Sequence, residues 1–342
     1  TAFCLVYLLA LVALGARKAR SVHTQEDFSL AGRGLSVGVL VGTLVATWIG
    51  TGSLFGNAEK TYEIGLPALW IPLAGGLGIL ALAGLAARIR RLEMVTIQDI
   101  LEARFGPALR VLATLALVSA YVIIVSYQYR AGSSILQYLV PSLGSFEATL
   151  AVAVFVILYT ALAGMLSVAY TDVANGVLML VGVGIALPIL WHQVGGWEGW
   201  QAQLTPVQQS PLGYWTPLKF LGALLPPFLL ILGDANMYQR FFSARTAGGA
   251  RKAAIGMFLG VLLMELMIIV LAGLGAALVR SGAIEAPAHA GHIIIHTAFH
   301  ALPPARVRSE RRRRTASAAM RLVSQSMYSP TVLSGCSWTI FS

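Results

Sequence analysis

Small polar and flexible residues are concentrated in one apolar run, VATWIGTGSLFG (residues 45–56). They are Thr47, Gly50, Thr51, Gly52 and Ser53. Because each glycine weakens a helix by about 1 kcal/mol relative to alanine, we expect a helix through this run to break near Trp48–Gly52. A break would expose backbone carbonyl and hydroxyl oxygens to a ligand. The alternative interpretation is a helix that is kinked for packing.

A second apolar run, at residues 217–237, contains two prolines and a carboxylate. Pro226 and Pro227 each remove a helical hydrogen bond and clash with the preceding turn. Asp234 follows in the sequence GDAN (233–236). In or near a membrane such a carboxylate costs about 2.5–3.5 kcal/mol and needs a partner. This run therefore predicts a second interrupted helix.

The composition places the chain in a lipid environment. It has 342 residues, of which 57% are hydrophobic and 11% charged, and its mean hydropathy is +0.76. Soluble domains have about 45–50% apolar and about 25% charged residues. A soluble enzyme, a disordered chain and a disulfide scaffold are therefore excluded. The two cysteines, Cys4 and Cys336, make no disulfide framework.

Eight runs are apolar enough for membrane helices, which need about 20 such residues. They lie near residues 1–16, 36–56, 67–87, 109–139, 147–166, 173–191, 217–237 and 253–279. We interpret the first run as a fragment that has lost its first residues. A cleaved signal peptide is the alternative, although the basic residues follow this run instead of preceding it.

The basic residues alternate between the two ends of these runs. Thirteen Lys and Arg residues lie in the segments 17–33, 88–110 and 240–252, whereas the opposite loops contain only Lys60, Lys219 and Arg280. Because Lys and Arg favour cytoplasmic loops, this pattern predicts an N-terminus that lies outside. We expect the membrane to be the plasma (inner) membrane.

Two local motifs predict packing and a helix start. Five glycines recur at four-residue spacing and predict close helix packing: Gly34, Gly38, Gly42, Gly256 and Gly260. Thr96 and Asp99 have the spacing of a capping box, so we expect a short helix in TIQDILEARFG (96–106).

Other titratable residues support weaker hypotheses. Four histidines at helical spacing suggest one helix face and a metal site, but neutral surface histidines are favoured: His289, His292, His296 and His300. For Glu265, a hydrogen-bonded structural role is favoured over a proton relay. The sequence contains no nucleophile–base set and no phosphate-binding glycine loop, so it does not indicate an enzyme.

Five motifs in order carry a family resemblance. They are LAGRGLS (30–36), ATWIGTGSLFG (46–56), TIQDILEARFG (96–106), YTALAGMLSVAYTDVANGVLMLVG (159–182) and QRFFSA (239–244). Through residues 28–300 the chain resembles the sodium:solute symporters, the group that includes sodium–proline, sodium–glucose and choline transporters. The resemblance implies an all-α polytopic membrane protein with the inverted-repeat sodium symporter fold. Residues 1–305 would form about eight helices, which are the first repeat and the start of the second.

The resemblance also implies a sodium site at the first break. In the family, two backbone carbonyls three positions apart bind the ion, and they correspond to Ala46 and Ile49. The other sodium ligands come from the family's helix eight. Sodium would be transported and is not a fixed cofactor. Substrate contacts would come from the same break, at Thr47, Trp48, Gly50, Thr51 and Ser53, and from the family's helices three and six.

The solute is harder to predict. A tryptophan at the position of Trp48 is typical of the choline branch, and its ring would bind a quaternary ammonium group with about 0.5–2 kcal/mol. Asp234 replaces a second tryptophan of that branch, and its carboxylate would attract an amine. Arg130 is a further candidate, which would pair with Asp234, hold a substrate carboxylate or extend to the membrane interface.

The resemblance therefore predicts a secondary active transporter. It would couple inward sodium movement to uptake of a small organic solute by alternating access, in the lipid bilayer and without a nucleic-acid partner. The alternatives are a non-transporting fragment or membrane sensor module of the same family, a proton-driven carrier and a channel.

The segment 306–342 departs from the family. Seven arginines lie in residues 306–321, where the family has an apolar helix eight, so the net charge of +10 is no sign of nucleic-acid binding. A shifted reading frame is our hypothesis. A tail that binds anionic lipid is disfavoured, because residue 306 is predicted to lie outside. Without helix eight, we expect only half of the sodium site and no working transporter.

Overall fold

The computed structural model describes residues 24–162 and 164–301. The predicted first span at 1–16 and the predicted non-family segment at 306–342 lie outside the described residues. Within them every regular element is a helix, and one isolated parallel bridge joins Leu35 to Ala244. The all-α prediction is confirmed.

Fourteen α-helices and several shorter turns make up the described part of the chain. The helices are α1 Gln25–Leu30, α2 Val37–Trp48, α3 Ala58–Ile64, α4 Ile71–Arg91, α5 Ile97–Phe105, α6 Pro107–Leu139, α7 Ser145–Leu162, α8 Met165–Val194, α9 Gly196–Ala202, α10 Pro206–Gln209, α11 Pro217–Gly233, α12 Ala235–Phe242, α13 Ala247–Arg280 and α14 Ile293–His300. A π-helical turn at Gly52–Asn57 precedes α3, and 3₁₀ turns lie at Ala31–Arg33, Leu66–Trp70 and Ala290–His292.

The described residues contain five helical segments long and apolar enough to cross a membrane. They are Leu66–Arg91, Pro107–Gln137, Met165–Val194, Pro217–Phe242 and Ala247–Arg280. A sixth span is the bent pair Val37–Trp48 and Gly52–Ile64, and a shorter apolar helix covers Ser145–Ile157. These elements coincide with the seven runs predicted after the first one.

The central helix α13 packs against α4, α2 and α8. Three of the predicted glycines lie directly against valine side chains of a neighbouring helix: Gly42 against Val173, Gly256 against Val41 and Gly260 against Val45. The packing prediction is therefore confirmed for these three. It is wrong for Gly34, which ends a 3₁₀ turn outside α2, and for Gly38, which has no neighbouring atom within 4 Å of an added Cβ.

The short helix α5 begins as its capping box predicts. The Thr96 hydroxyl accepts a hydrogen bond from the Asp99 amide (3.3 Å), and the Asp99 carboxylate accepts one from the Thr96 amide (2.8 Å). Arg110 at the start of α6 bonds to Glu102, so charged side chains also join the two helices. Together these contacts fix the direction in which the chain enters α6.

The contact between α4 and α11 allows only glycine at position 78. A Cβ atom there would lie 2.1 Å from the Ile231 Cγ2 atom and 2.9 Å from the Phe228 carbonyl oxygen. We expect Gly78→Ala to destabilise the protein by about 1–3 kcal/mol, because backbone must move to admit the methyl group. The matched control is Gly84→Ala on the same helix, where no atom lies within 4 Å. Thermal unfolding in lipid nanodiscs should show a lower midpoint for the first variant only.

Candidate functional site

The first predicted break lies at Ile49 and Gly50. Helix α2 ends at Trp48, and Ile49 has φ −75° and ψ 86°, the geometry of an inverse γ-turn. The Gly50 amide donates to the Trp48 carbonyl (2.9 Å), although a continuing helix would direct it to Ala46. Backbone bonding resumes where the Leu54 amide donates to the Gly50 carbonyl (3.1 Å). These bonds use neither the Ala46 nor the Ile49 carbonyl.

The chain changes direction across this break. The helical segments Val37–Trp48 and Gly52–Ile64 are bent by 54° relative to each other. The first turn after the break is π-helical, a form that occurs mostly as single turns and often at functional sites. The bend therefore separates two half-helices, and the carbonyls of Ala46 and Ile49 lie at the junction.

The hydroxyl side chains around the break differ in their partners. Thr47 donates to the Thr43 carbonyl one turn earlier (2.7 Å). The Thr51 side chain is buried, at 6% exposure. Ser53 donates to Glu265 Oε1 of α13 (2.5 Å), so in this structure its hydroxyl serves an internal contact.

Trp48 lies at the end of α2 and packs against α4. A Cβ atom at Gly75 would lie 2.6 Å from Trp48 Cζ2, so the indole ring occupies the space that this glycine leaves. The Trp48 side chain also lies close to the Glu265 carboxyl group. The indole ring therefore already has neighbours within the protein, Gly75 on one side and Glu265 on the other, and these neighbours fix its position.

Glu265 connects α13 to the segment after the break. Its Oε1 atom accepts the Ser53 hydroxyl, and its Oε2 atom accepts the Asn57 side-chain amide (2.7 Å). The side chain is 2% exposed. The prediction that Glu265 is hydrogen-bonded is confirmed. Asn57 was not predicted, because its partner lies 208 residues away in the sequence.

The second interruption falls at Asp234 and not at the prolines. Helix α11 continues through Pro226 and Pro227 to Gly233. Asp234 then has an extended conformation and caps α12, where its Oδ1 atom accepts the Asn236 amide (2.9 Å). Helix α12 thus begins with a side-chain cap of the kind that Asp, Asn, Ser and Thr provide.

Asp234 is bound to α6 through Tyr121. The Tyr121 hydroxyl donates to Asp234 Oδ1 (2.9 Å), and the Asn236 side-chain amide donates to the Tyr121 oxygen (3.1 Å). Of the three roles considered for Arg130, the pairing with Asp234 is not formed, because none of the ion pairs in the described ranges contains Arg130, which is exposed on α6. The hydroxyl of Tyr121 satisfies the carboxylate instead.

A buried ion pair near the first break was missed. Arg240 Nη2 donates to Asp172 Oδ2 (3.1 Å), and the two side chains are each 2% exposed. Thr43 donates its hydroxyl to the same carboxylate oxygen (2.5 Å) and accepts Arg240 Nε (3.0 Å). Arg240 was counted among the loop cations, and that assignment is wrong. The sequence signal for a fixed partner was the position of Arg240 inside the QRFFSA motif.

This network joins three helices and the second interruption. Thr43 belongs to α2, Asp172 to α8 and Arg240 to α12. Arg240 Nη1 also donates to the Asn236 carbonyl (3.3 Å) at the start of α12. The half-helix before the first break and the half-helix after the second are therefore held by one guanidinium group.

The histidines do not share one helix face. His289 and His292 precede α14, which begins at Ile293. Their rings contact each other at 5.3 Å between centroids, and His296 lies against His300 at 4.2 Å. Burial lowers the pKa of His292 and of His296. Residues 24–162 and 164–301 contain no group of three His, Cys, Asp or Glu side chains suited to a metal ion.

The fold and the site define a polytopic helical membrane protein with two interrupted helices joined through buried polar groups. The sequence model of the sodium:solute symporter family matches residues 28–303, and the chain belongs to this family. It is therefore an integral membrane protein of a transporter family and not an enzyme. In this family sodium is a transported co-substrate and not a fixed cofactor.

Several characterised transporters are similar to the chain. High-affinity choline transporter 1 of Drosophila melanogaster is 27% identical over 273 residues, which are 77% of this chain and 43% of the fly protein. The sodium/pantothenate symporter of Escherichia coli is 30% identical over 197 residues, or 54% of this chain and 40% of that protein. The chain thus spans less than half the length of these relatives.

A solved structure has the same fold. It is the substrate-bound, outward-open state of a Na⁺-coupled sialic acid symporter, with a TM-score of 0.79 and 17% sequence identity. The match covers 98% of this chain and 72% of that one. This similarity establishes the sodium symporter fold of the chain.

Removing one member of the buried ion pair should destabilise the protein strongly. We expect Arg240→Met to cost about 3–5 kcal/mol, because it leaves Asp172 buried without its positive partner. The double variant Arg240→Met with Asp172→Leu should recover most of this loss, since no unpaired charge remains. Thermal unfolding of the wild type, Arg240→Met, Asp172→Leu and the double variant forms a double-mutant cycle. A double variant as unstable as Arg240→Met would contradict the ion-pair explanation.

Proposed function

We propose that this symporter module, when completed by the family's helix eight, couples inward sodium movement to uptake of a small organic solute by alternating access. The observation that carries the proposal is the break in α2, where the Ala46 and Ile49 carbonyls are not used by the neighbouring backbone bonds. Free backbone groups at membrane depth are tolerated where they line a cavity or bind an ion. The module comprises residues 1–305, with the segment 306–342 outside it, and lies in the plasma (inner) membrane with its N-terminus outside.

Sodium is the ligand that suits the first break. Two carbonyl oxygens three positions apart provide uncharged, hard oxygen ligands, which hard cations prefer. Ala46 and Ile49 are both buried, so an ion held there would be shielded from bulk water. The buried positive charge of Arg240 is neutralised by Asp172, and its Nε atom donates to the Thr43 hydroxyl. The local field therefore does not repel a cation.

The solute site lies between the two interruptions in this proposal. Trp48, Thr47, Gly50, Thr51 and Ser53 belong to the first break, and Asp234 belongs to the second. A carboxylate and an indole face favour a solute that carries an amine or a quaternary ammonium group. Arg130 stays a candidate contact for a solute carboxylate. In this proposal the protein is embedded in the lipid bilayer and has no nucleic-acid partner.

A sodium-binding experiment tests the first half of the proposal. The full chain in nanodiscs should unfold at a higher temperature in NaCl than in KCl at equal ionic strength. Saturation to about 100 times the dissociation constant would stabilise it by about 2.7 kcal/mol. Because the ligands are carbonyls, the informative variant is Gly50→Pro, which removes the amide that holds the turn and redirects Ile49.

The control for this experiment is Gly52→Ala, since a Cβ atom at Gly52 meets nothing within 4 Å. The sodium-dependent shift should persist in Gly52→Ala and disappear in Gly50→Pro, with unfolding in KCl as the measure of intact folding. An equal shift in both variants would contradict a sodium site at the Ala46 and Ile49 carbonyls.

Choline is the probe for the solute class. We expect it to bind the full chain in sodium buffer, and Trp48→Ala and Asp234→Asn to weaken binding by about tenfold each, or about 1.4 kcal/mol. Asp234→Asn keeps an acceptor for the Asn236 amide, so α12 should stay capped. The control is Glu198→Gln at an exposed position of α9. Equal binding in all variants, measured by equilibrium dialysis, would exclude a cationic solute at this site.

A further inference from the structure

Glu265 is a buried carboxylate with only neutral hydrogen-bonding partners. It lies in the middle of α13, and its two oxygen atoms contact Ser53 (2.5 Å) and Asn57 (2.7 Å) of the segment after the first break. Trp48, at the end of α2, lies close to the same carboxyl group. All three neighbours are uncharged, although the Glu265 side chain is only 2% exposed.

The charged groups on the elements packed against α13 are either paired with other residues or exposed. None of the ion pairs in the described ranges contains Glu265. The paired groups on these elements bond to other residues: Asp172 of α8 to Arg240, Lys60 of α3 to Glu63, Arg90 of α4 to the Ala244 carbonyl, and His296 of α14 to the Glu285 carbonyl. The remaining charged groups and histidines on these elements are exposed: Glu59 of α3, Arg88 and Arg91 of α4, His192 of α8, Glu198 of α9 and His300 of α14. Helix α2 and the turn at Gly52–Asn57 contain no charged residue.

A charge in this position has to be neutralised. An isolated carboxylate in a low-dielectric interior is far costlier than a neutral polar group, so proteins pair it, bind a cation to it or leave it protonated. The described residues provide no pairing cation. A metal ion would need oxygen ligands, but the Asn57 atom that faces Glu265 is the amide nitrogen, which donates. Protonation of Glu265 requires no rearrangement of the side chains around it.

The hydrogen bonds of Glu265 to Ser53 and Asn57 can both be kept when Glu265 is protonated. With a proton on Oε1, the carboxyl group donates to the Ser53 oxygen, because a serine hydroxyl both donates and accepts. The Asn57 amide continues to donate to Oε2, which is then the carbonyl oxygen. Every hydrogen-bonding atom of the group keeps a partner, and no charge is left in the membrane interior.

We propose that Glu265 is a proton-binding site. The side chain is a neutral carboxylic acid while Ser53 and Asn57 lie against α13, and it releases its proton to water only when the segment after the break moves away. The site is separate from the Ala46 and Ile49 carbonyls, so this inference does not depend on sodium coupling. It makes Glu265 the group through which pH acts on the docked half-helix.

Infrared spectroscopy of the full chain in lipid nanodiscs tests the proposal. At about pH 7, exposed carboxyl groups are ionised and have no carboxylic acid band. We expect a carboxylic acid C=O stretching band that is the same in the wild type and in Glu198→Gln, an exposed control. The band should be lost in Glu265→Gln, in which the amide mimics the neutral acid and keeps both contacts.

A second variant, Ser53→Ala, tests the proposal independently if Glu265→Gln does not fold. In Ser53→Ala the acid loses the acceptor for its O–H group, so its band should shift in frequency and stay present. A wild type without the band at this pH would overturn the proposal. So would a band that Ser53→Ala leaves at the wild-type frequency and that Glu265→Gln retains, since another carboxyl group would then be its source.

Discussion

The break at Ile49 and Gly50, directly after α2, is the constraint on which the arrangement of the described helices depends. A helix in lipid satisfies its own backbone groups, and a helix that stops at Trp48 and restarts after Gly50 does not. The half-helices on the two sides must therefore be held by side chains from neighbouring elements. The structure provides one set of polar contacts before the break and a different set after it.

The contacts before the break are ionic. Thr43 is held by Arg240 and Asp172, in which the guanidinium group and the carboxylate neutralise each other. A buried ion pair of this kind adds little net stability relative to a well-packed apolar pair, but loss of one partner is costly. Its effect is to specify one position of α2 relative to α8 and α12. The contacts after the break are different, because Glu265 has only neutral partners there.

Local signals in the sequence predicted the positions of the helices and of the first break. Gly50 and Gly52 stop the helix from continuing beyond α2, and the capping box at Thr96 begins α5, because both effects act within a few residues. Pro226 and Pro227 were misleading, since α11 continues through them and stops only at Asp234. Packing against neighbours decides whether a proline ends a membrane helix, and the sequence alone does not show those neighbours.

The polar partners could not be predicted for the same reason. Arg240 pairs with a residue 68 positions away, and Glu265 with residues more than 200 positions away. Charge counting assigned Arg240 to a loop because it lies near the end of an apolar run. Sequence distance conceals such pairs, although a charge inside a family motif is a signal that it has a fixed partner.

The two interruptions are connected by continuous contacts. From Thr47 a hydrogen bond leads to the Thr43 carbonyl, and Arg240 joins the Thr43 hydroxyl to the Asn236 carbonyl. Asn236 and Tyr121 then lead to Asp234. Contact alone does not couple two sites, because coupling needs an element with two arrangements that both sites bias. The segment Gly52–Asn57 is the element that meets this requirement best: it is joined to α2 through a turn without regular helical bonds, and Glu265 holds it from the opposite side.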